Sequence, residues 1–394
     1  MAMEEVLDEA PSEGSAPAAV DADAWWADPM VRSQRQRYAL TIEYVGTDYH
    51  GSQRQIAAPG GDVGTALTVQ DDLEAALRKL VPHAPRAPVV VFSGRTDTGV
   101  HSTGSTAHVD LVRCDRDLRI LPPFSEEVLL RSLNHTLPKR RLGIVSARCV
   151  PQTFHAQHSA RMRTYIYKIK CAGDGGGAGG SHATAAVGSE VRRTDCCPGL
   201  WQHGWLSAHD EHRALCLPEP LNIEAMRAAA AVLVGHHDFS AFRGARCTAV
   251  SPVVTLDALD VILEQPDTLD TLRDEPRGTQ SISVRVRGQS FLRKQVRYLV
   301  AALLEAGAGR LRDEPEKGVR RILASGSTGW GKPVAPHGLY LARVEYPAEA
   351  YLHTTKNCLQ DDDARQARLA SCGEAVGSQQ PAPVTCDEAQ VLCR

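Results

Sequence analysis

The chain has 394 residues, 43% of them hydrophobic and 23% charged, which is the composition of an ordinary globular protein. Its length predicts two or three domains, and no apolar run approaches the roughly 18 residues that a membrane-spanning helix needs. The eleven cysteines are scattered and odd in number, which favours a reducing compartment over a secreted disulfide framework.

The net charge of −3 conceals a basic body between two acidic ends. Residues 1–30 hold eight acidic side chains and no Lys or Arg, and residues 349–394 hold seven acidic and four basic side chains. Residues 31–348 therefore carry 40 basic and 32 acidic side chains, a charge of +8. Both ends are predicted to be disordered, and the acidic start does not resemble an Arg-rich transit peptide. The basic body is compatible with a polyanionic partner.

Hydrophobic periodicity and capping residues predict an alternating series of strands and helices. In the first half the predicted order is strand, helix, strand, strand, helix, strand and strand, at residues 38–44, 69–81, 89–92, 106–111, 125–137, 141–150 and 164–170. The glycine run at 173–180 marks an insertion loop over 171–218. The second half continues with a helix, a strand, two helices and a last strand, at residues 222–234, 281–287, 292–306, 315–324 and 339–346. This order predicts an α+β fold with helices packed on one side of a sheet.

Asp97 lies on a glycine-flanked loop between two predicted strands, in the segment Ser93-Gly94-Arg95-Thr96-Asp97-Thr98-Gly99-Val100-His101. Loops held by a sheet are common positions for catalytic groups, and the neighbouring Arg95 favours a charged carboxylate. An isolated Asp-x-Gly more often marks a turn in which the Asp caps its own backbone. Asp97-Thr98-Gly99 also matches the aspartic protease triplet, but those enzymes need two carboxylates and no second such triplet occurs.

Tyr165, in a predicted strand, is either a core aromatic or a platform on which a flipped-out base stacks, edged by Arg161 and Arg163 for phosphates. Arg293, Lys294 and Arg297 cluster near a predicted helix start, where cations oppose the helix dipole. They form either a solvated basic face or a group that faces an anion or a carboxylate.

The insertion is rich in residues that bind zinc elsewhere, and His236-His237-Asp238 forms a similar but smaller group. The spacing argues against a metal site, because two of the cysteines are adjacent and no Cys-x-x-Cys pair forms; the insertion residues are Cys196, Cys197, His203, His209, His212 and Cys216. We predict no metal here, and we predict a helix-end cap at 236–238.

Eight segments, in order, resemble the TruA-type family of tRNA pseudouridine synthases. They extend from about residue 37 to residue 346 and are Gly94-Arg95-Thr96-Asp97-Thr98-Gly99-Val100-His101, Ala107-His108-Val109-Asp110, Phe154-His155-Ala156, Ser159-Ala160, Arg163-Thr164-Tyr165-x-Tyr167, His237-Asp238-Phe239-Ser240-Ala241-Phe242, Gln295-Val296-Arg297 and Gly338-Leu339-Tyr340-Leu341. Within the family the likeness is closest to an animal branch of synthase-like proteins. Ser52, where the family usually has Trp, and Arg293-Lys294, where it has a histidine pair, depart from the pattern.

The resemblance implies a fold of two ferredoxin-like α/β halves that share a mainly antiparallel sheet. We therefore predict halves at 37–140 and 141–347, the latter containing the 171–218 insertion, with disordered tails at 1–36 and 348–394. The implied reaction isomerises uridine to pseudouridine in RNA, with tRNA and its anticodon arm as the expected target. A homodimer is expected, and no cofactor is, because the isomerisation is redox-neutral.

The resemblance also implies roles for single residues. Asp97 is the expected catalytic carboxylate, paired with the distant Arg297. Tyr165 is expected to stack on the base and to act in proton transfer. The remaining residues expected to bind substrate are Arg95, Phe291 and Leu339.

Two other classes of function stay open at this point. One is an RNA-binding or assembly protein on a synthase fold with weak or no catalysis, and the other, less favoured, is an aspartyl hydrolase. The compartment is also open between mitochondrial and cytoplasmic or nuclear.

Overall fold

A computed structural model describes residues 20–54, 66–139, 141–172, 210–265 and 279–352. Its main feature is a large mixed sheet with the order β6-β1-β3-β12-β7-β11-β10-β9, in which β2 also pairs with β3 and β8 with β7. The two short strands β4 and β5 pair apart from it. The strands are β1 Gln36–Tyr44, β2 Val90–Phe92, β3 His101–Leu111, β4 Arg113–Cys114, β5 Ile120–Leu121, β6 Leu142–Val150, β7 Met162–Ala172, β8 Leu215–Leu217, β9 Gly235–Asp238, β10 Val253–Leu263, β11 Thr279–Gly288 and β12 Leu339–Glu345.

Several of the helices begin where a capping side chain satisfies one or more of the first backbone N–H groups. Thr68 and Asp71 form the reciprocal capping box at the start of α3, and Ser125 and Asn222 cap α4 and α5. The helices are α1 Ala22–Ala27, α2 Pro29–Gln34, α3 Val69–Leu80, α4 Glu126–Thr136, α5 Ile223–Leu233, α6 Gln295–Gly307 and α7 Pro315–Ser325. Within the described ranges no helix is both long enough and apolar enough to span a lipid bilayer.

Two hydrophobic cores lie under one face of the sheet. Helices α3 and α4 cover the core formed by β1, β2, β3 and β6, and α5, α6 and α7 cover the core formed by β7, β10 and β11. Strand β12 joins the two groups, because it pairs parallel with β3 and antiparallel with β7. Apart from β12–β3 and β7–β8, the strand pairs of this sheet are antiparallel. The mainly antiparallel α+β architecture is therefore confirmed, while the boundary between halves at residue 140 stays a prediction.

Five strands are absent from the prediction, namely β4, β5, β8, β9 and β10, and the omissions of β10 and β8 have local causes. In β10 the alternation of buried and exposed residues breaks at a register shift between Leu256 and Ala258, so no single period of two runs through it. Strand β8 lies inside the predicted insertion and is held by parallel pairing with residues 169–171 of β7. Residues 173–209 of the predicted insertion, with four of its six candidate metal ligands, lie outside the described residues.

The start of the described chain corrects the predicted N-terminal tail. Residues 22–34 form α1 and α2, because Asp21 and Asp28 cap them and Trp25 packs against a small apolar cluster beyond α3. At the other end, residues 348–351 form a short 3₁₀ turn. The remaining parts of both predicted tails, 1–19 and 353–394, lie outside the described residues.

The segment after α5 also differs from the prediction. His236, His237 and Asp238 belong to strand β9, paired with β10, rather than to a helix-end cap. Gly235, at φ +112°, ends the helix, and the His237 ring nitrogen Nε2 still lies 3.0 Å from the Val234 carbonyl oxygen. Helix α6 starts three residues later than predicted, because Lys294 adopts a left-handed conformation before it.

Candidate active site

The loop that carries Asp97 joins β2 to β3 and is fastened from both sides. The Thr96 N–H donates to Ser52 Oγ at 2.9 Å, and the Ser52 N–H donates to the Thr96 carbonyl at 3.3 Å. The hydroxyls of Tyr44 and Thr96 lie 2.9 Å apart. Val100 N–H donates to the Asp97 carbonyl at 3.1 Å. Ser52, noted in the sequence only as a departure from the family pattern, is fully buried and fixes the loop that carries Asp97.

Gly51 is required by the close approach of this loop. Its φ is +94°, and a Cβ there would lie 2.7 Å from the Thr96 carbonyl oxygen. We expect Gly51→Ala to lower the free energy of unfolding by about 1–3 kcal/mol and to reduce activity by displacing Asp97. Urea denaturation and RNA-modification assays measure the two effects. Gly331→Ala is the control, because Gly331 has an extended φ of −173° and nothing within 4 Å of its added Cβ; equal stability of the two variants would contradict this assignment.

Asp97 forms an ion pair with Arg297 from the first turn of α6. Arg297 Nη1 lies 3.2 Å from Asp97 Oδ2, and Arg297 Nε donates to the Val334 carbonyl at 2.6 Å. The arginine side chain is 10% exposed and the aspartate side chain 30% exposed. The guanidinium is thus buried and held at two points, while the carboxylate remains open to a ligand.

The pair explains how a cation is tolerated at the positive end of α6. The carboxylate of Asp97 offsets the charge of Arg297 near the helix start. The immediate neighbour Arg95 is not the partner: its side chain is exposed and its Nε donates to Gln53 Oε1 at 2.8 Å. The structure places the distant arginine against Asp97, as the resemblance implies.

An aromatic pair lies beside this carboxylate. Tyr165 in β7 and Phe291 meet edge to face, with ring centroids 5.0 Å apart. Burial raises the pKa of the Tyr165 hydroxyl to about 12. The negative charge of Asp97 also raises this pKa, whereas the positive charge of Arg163 lowers it. The hydroxyl is therefore neutral near pH 7 and can donate a proton. Leu339 is buried at the start of β12, in register with Tyr167.

Arg163 has a structural role that corrects the predicted phosphate edge beside Tyr165. Its Nη1 donates to the Gln289 carbonyl at 2.5 Å, and its Nη2 donates to the carbonyls of Ser93 and Gln157 at 2.7 and 3.2 Å. These bonds tie β7 to the start of the Asp97 loop and to the segment before Phe291. Arg161, the other predicted edge residue, is exposed.

His101 is a buried residue for which no role is predicted, although it ends the Asp97 motif. Its Nδ1 accepts the Gly46 N–H at 3.0 Å, so its Nε2–H faces the carbonyls of His212 and His337, at 2.9 and 3.0 Å. Burial lowers the pKa of the ring, although both carbonyls oppose this. The neutral imidazole therefore holds the turn that leads into Leu339. A sequence alone shows the His but not these three backbone partners.

No metal site is found in the described part of the chain, where no group of three or more His, Cys, Asp or Glu side chains could hold an ion. A cavity of about 800 Å³ does not include Asp97. This cavity lies on the face of the sheet that points away from the core, and its lining includes Lys168, Lys170 and Ser283. Their strand neighbours Tyr167 and Val284 point into the core on the other face. The cavity is therefore distinct from the site built around Asp97.

A loop-borne carboxylate paired with a buried arginine lies near an aromatic pair, in a chain whose residues 31–348 are basic, and this arrangement is compatible with an enzyme that modifies RNA bases. Residues 229–347 match the family model described as tRNA pseudouridine synthase. A tRNA pseudouridine synthase A of Cereibacter sphaeroides is 38% identical over 315 residues, which cover 80% of this chain and 99% of that protein.

Other bacterial proteins of the same name show the same extent of similarity. The one from Allorhizobium ampelinum is 35% identical over 316 residues, 79% of this chain and 96% of its own. The one from Anaplasma phagocytophilum is 32% identical over 311 residues, 79% of this chain and all of its own. The chain therefore belongs to the tRNA pseudouridine synthase A family. The closer likeness to an animal branch stays a prediction.

Proposed function

We propose that this protein isomerises uridine to pseudouridine in tRNA, with Asp97 as the catalytic carboxylate. The observation that carries the proposal is the pair of Asp97 and Arg297, which holds an accessible carboxylate near the aromatic pair of Tyr165 and Phe291. Membership of the tRNA pseudouridine synthase A family supports the reaction and the substrate class.

The reaction exchanges one bond for another within the same nucleotide. The bond between uracil N1 and ribose C1′ breaks, the base turns, and a bond between C5 and C1′ forms; C5 loses a proton and N1 gains one, so no oxidant or reductant is needed. Asp97 assists by attacking the sugar or the base, or by removing a sugar proton, and each route needs a deprotonated carboxylate near the anomeric carbon.

The surrounding residues have separate parts in the proposal. The uridine must leave its stack to reach Asp97, and Tyr165 then stacks on the base. Phe291 and Leu339 form apolar walls that exclude water. Arg95, which is exposed on the same loop as Asp97, contacts the RNA.

Two variants separate the roles of Tyr165. Tyr165→Phe keeps the stacking ring, so we expect KM to stay within a few-fold while kcat falls about 100-fold through loss of the proton donor. Tyr165→Ala also removes the platform and is expected to raise KM. Steady-state kinetics on a tRNA transcript measure both. A wild-type kcat for Tyr165→Phe would remove the proton-transfer role and leave only stacking.

The experiment that tests the proposal incubates the purified full chain with unmodified tRNA transcripts and maps pseudouridine by mass spectrometry. We expect conversion of a uridine in the anticodon arm. Binding without conversion would favour the alternative of an RNA-binding or assembly protein. The homodimer, which is inferred from the resemblance, is tested by light scattering of the same preparation.

A further inference from the structure

Four cationic side chains gather around the loop of residues 243–247, which lies between β9 and β10. The Gly244 N–H donates to the Arg293 carbonyl at 2.8 Å, and Arg293 Nη1 donates to the Ala245 carbonyl at 3.1 Å. A Cβ on Gly244 would lie 3.2 Å from Lys294 Cβ, so the lysine stem packs on this glycine. The cation cluster, as we call it, consists of Arg243, Arg246, Arg293 and Lys294.

The cation cluster has no acidic counterpart in the part of the chain that the structure describes. Many other arginines form ion pairs there, among them Arg285 with Asp260 and Arg287 with Glu345, whereas no cluster member lies within 4.0 Å of a carboxylate. Arg243 instead donates to the carbonyls of Cys247 and Ala249, at 2.9 and 2.7 Å, which fixes its orientation. Like charges held together without a counter-ion repel one another, so the arrangement fits an anion supplied by a ligand.

The backbone around the cluster is held in an unfavourable conformation. Arg246 and Lys294 have φ values of +58° and +60°, in the left-handed region, although neither is glycine. Lys294 is also the N-cap of α6 and makes no side-chain capping bond. Such strain costs about 1–3 kcal/mol for each residue and is typically kept at ligand clamps. Uncapped N–H groups at a helix start favour an anion in the same place.

A pocket of about 450 Å³ opens between the 243–247 loop and the segment after α7. Arg243 and Arg246 line it together with the hydroxyl residues Ser240, Ser327 and Thr328. Guanidinium and hydroxyl groups donate hydrogen bonds to phosphate oxygens. Arg293 and Lys294 directly precede α6, whose first turn carries Arg297, the partner of Asp97. Neither Asp97 nor Arg297 lines the pocket, and Arg293 links its loop to the start of α6 through the bonds to Gly244 and Ala245.

We propose that the cation cluster binds a backbone phosphate of the RNA strand whose target nucleotide is held at Asp97. The inference rests on the proposed function only in taking RNA as the substrate. A phosphate held here contacts no reacting atom, so the cluster stabilises the bound substrate and the transition state by the same free energy. It then lowers KM and leaves kcat unchanged.

The test compares two doubly substituted full-length proteins in binding to one unmodified tRNA transcript over a range of salt concentrations. Arg246→Ala with Lys294→Ala removes two cluster charges and spares Arg243, which organises the loop. Arg116→Ala with Arg320→Ala removes two exposed charges elsewhere as the matched control. We expect the first pair to raise Kd and KM about tenfold, with kcat unchanged. The slope of log Kd against log salt should fall by about 0.7–0.9 for each phosphate that the variant no longer binds.

Cys247 gives an independent readout of occupancy. It is partly exposed and lines the pocket. Although burial raises its pKa, the N–H groups of Arg293 and Ala249 and the Arg243 guanidinium lower it overall, so the thiol is open to alkylation by iodoacetamide. Bound tRNA should slow alkylation of Cys247, followed by peptide mass spectrometry, relative to Cys149 on β6.

Three results separate this inference from the proposed function. Equal Kd and equal salt slope for the two double variants would overturn the phosphate site. Protection of Cys247 by inorganic phosphate but not by tRNA would also overturn it, because the ligand would then be another phosphate compound. If the wild-type protein makes no pseudouridine but the cluster variant still weakens tRNA binding, the RNA-binding site stands and the proposed activity fails.

Discussion

Replacing Asp97 by Ala is expected to reduce the rate of pseudouridine formation by about 10⁴-fold or more, the scale seen when an enzyme loses its central catalytic group. The reason is that the described site offers no other carboxylate within ion-pair distance of Arg297. Single-turnover kinetics with a tRNA transcript measure the chemical step without a contribution from product release.

The Asp97→Ala protein is expected to remain folded. The aspartate side chain is 30% exposed, so its loss leaves Arg297 partly hydrated. We therefore expect the free energy of unfolding to fall by about 1–2 kcal/mol. Asp117→Ala, at an exposed turn residue, is the matched control and should keep wild-type rates. Activity within tenfold of wild type in a folded Asp97→Ala protein would remove the carboxylate from the mechanism.

Replacing Arg297 by Met is expected to damage both activity and stability. The substitution keeps a similar apolar stem but removes the ion pair with Asp97 and the bond to the Val334 carbonyl, both near the protein interior. We expect a rate loss of about 10²–10³-fold, comparable to the loss of one donor from a preorganised site. The free energy of unfolding should fall by about 2–4 kcal/mol, because a buried carbonyl loses its donor and a carboxylate its partner.

A double-mutant cycle separates the two contributions. In an Asp97→Asn background the carboxylate is already absent, so Arg297→Met should lower the free energy of unfolding by less than it does in the wild type. The difference between the two decreases is the coupling energy of the pair. Denaturant unfolding of the four proteins provides it. Equal costs in both backgrounds would show that Arg297 acts through Val334 alone and does not support Asp97.

The elements that the sequence predicts well are those with strong local signals. The capping box of Thr68 and Asp71 and the amphipathic face that follows it give α3 to within a residue. The glycines beside Asp97 mark its loop correctly between two strands. In contrast, β10 is missed because a register shift breaks its period of two, and β8 because three residues paired to a distant strand leave no local pattern.

The site is less accessible from local signals, because its contacts join distant parts of the chain. Asp97 and Arg297 are 200 positions apart, and from the residues alone the neighbour Arg95 is the obvious partner; only the family resemblance points to Arg297. The buried bonds of Ser52 and His101 are likewise tertiary. The prediction for Arg163 is wrong for a different reason. An arginine beside an aromatic side chain resembles a phosphate-binding residue, but Arg163 donates hydrogen bonds to three backbone carbonyls instead.

The most direct test of a catalytic role for Asp97 is a comparison of the wild-type protein with Asp97→Asn, which keeps the shape of the side chain and removes its charge. Both proteins are given the same unmodified tRNA transcript, and pseudouridine is quantified by mass spectrometry alongside the tRNA dissociation constant. We expect pseudouridine from the wild type alone and similar tRNA affinity for both proteins. Equal pseudouridine yields from the two proteins would contradict the catalytic role.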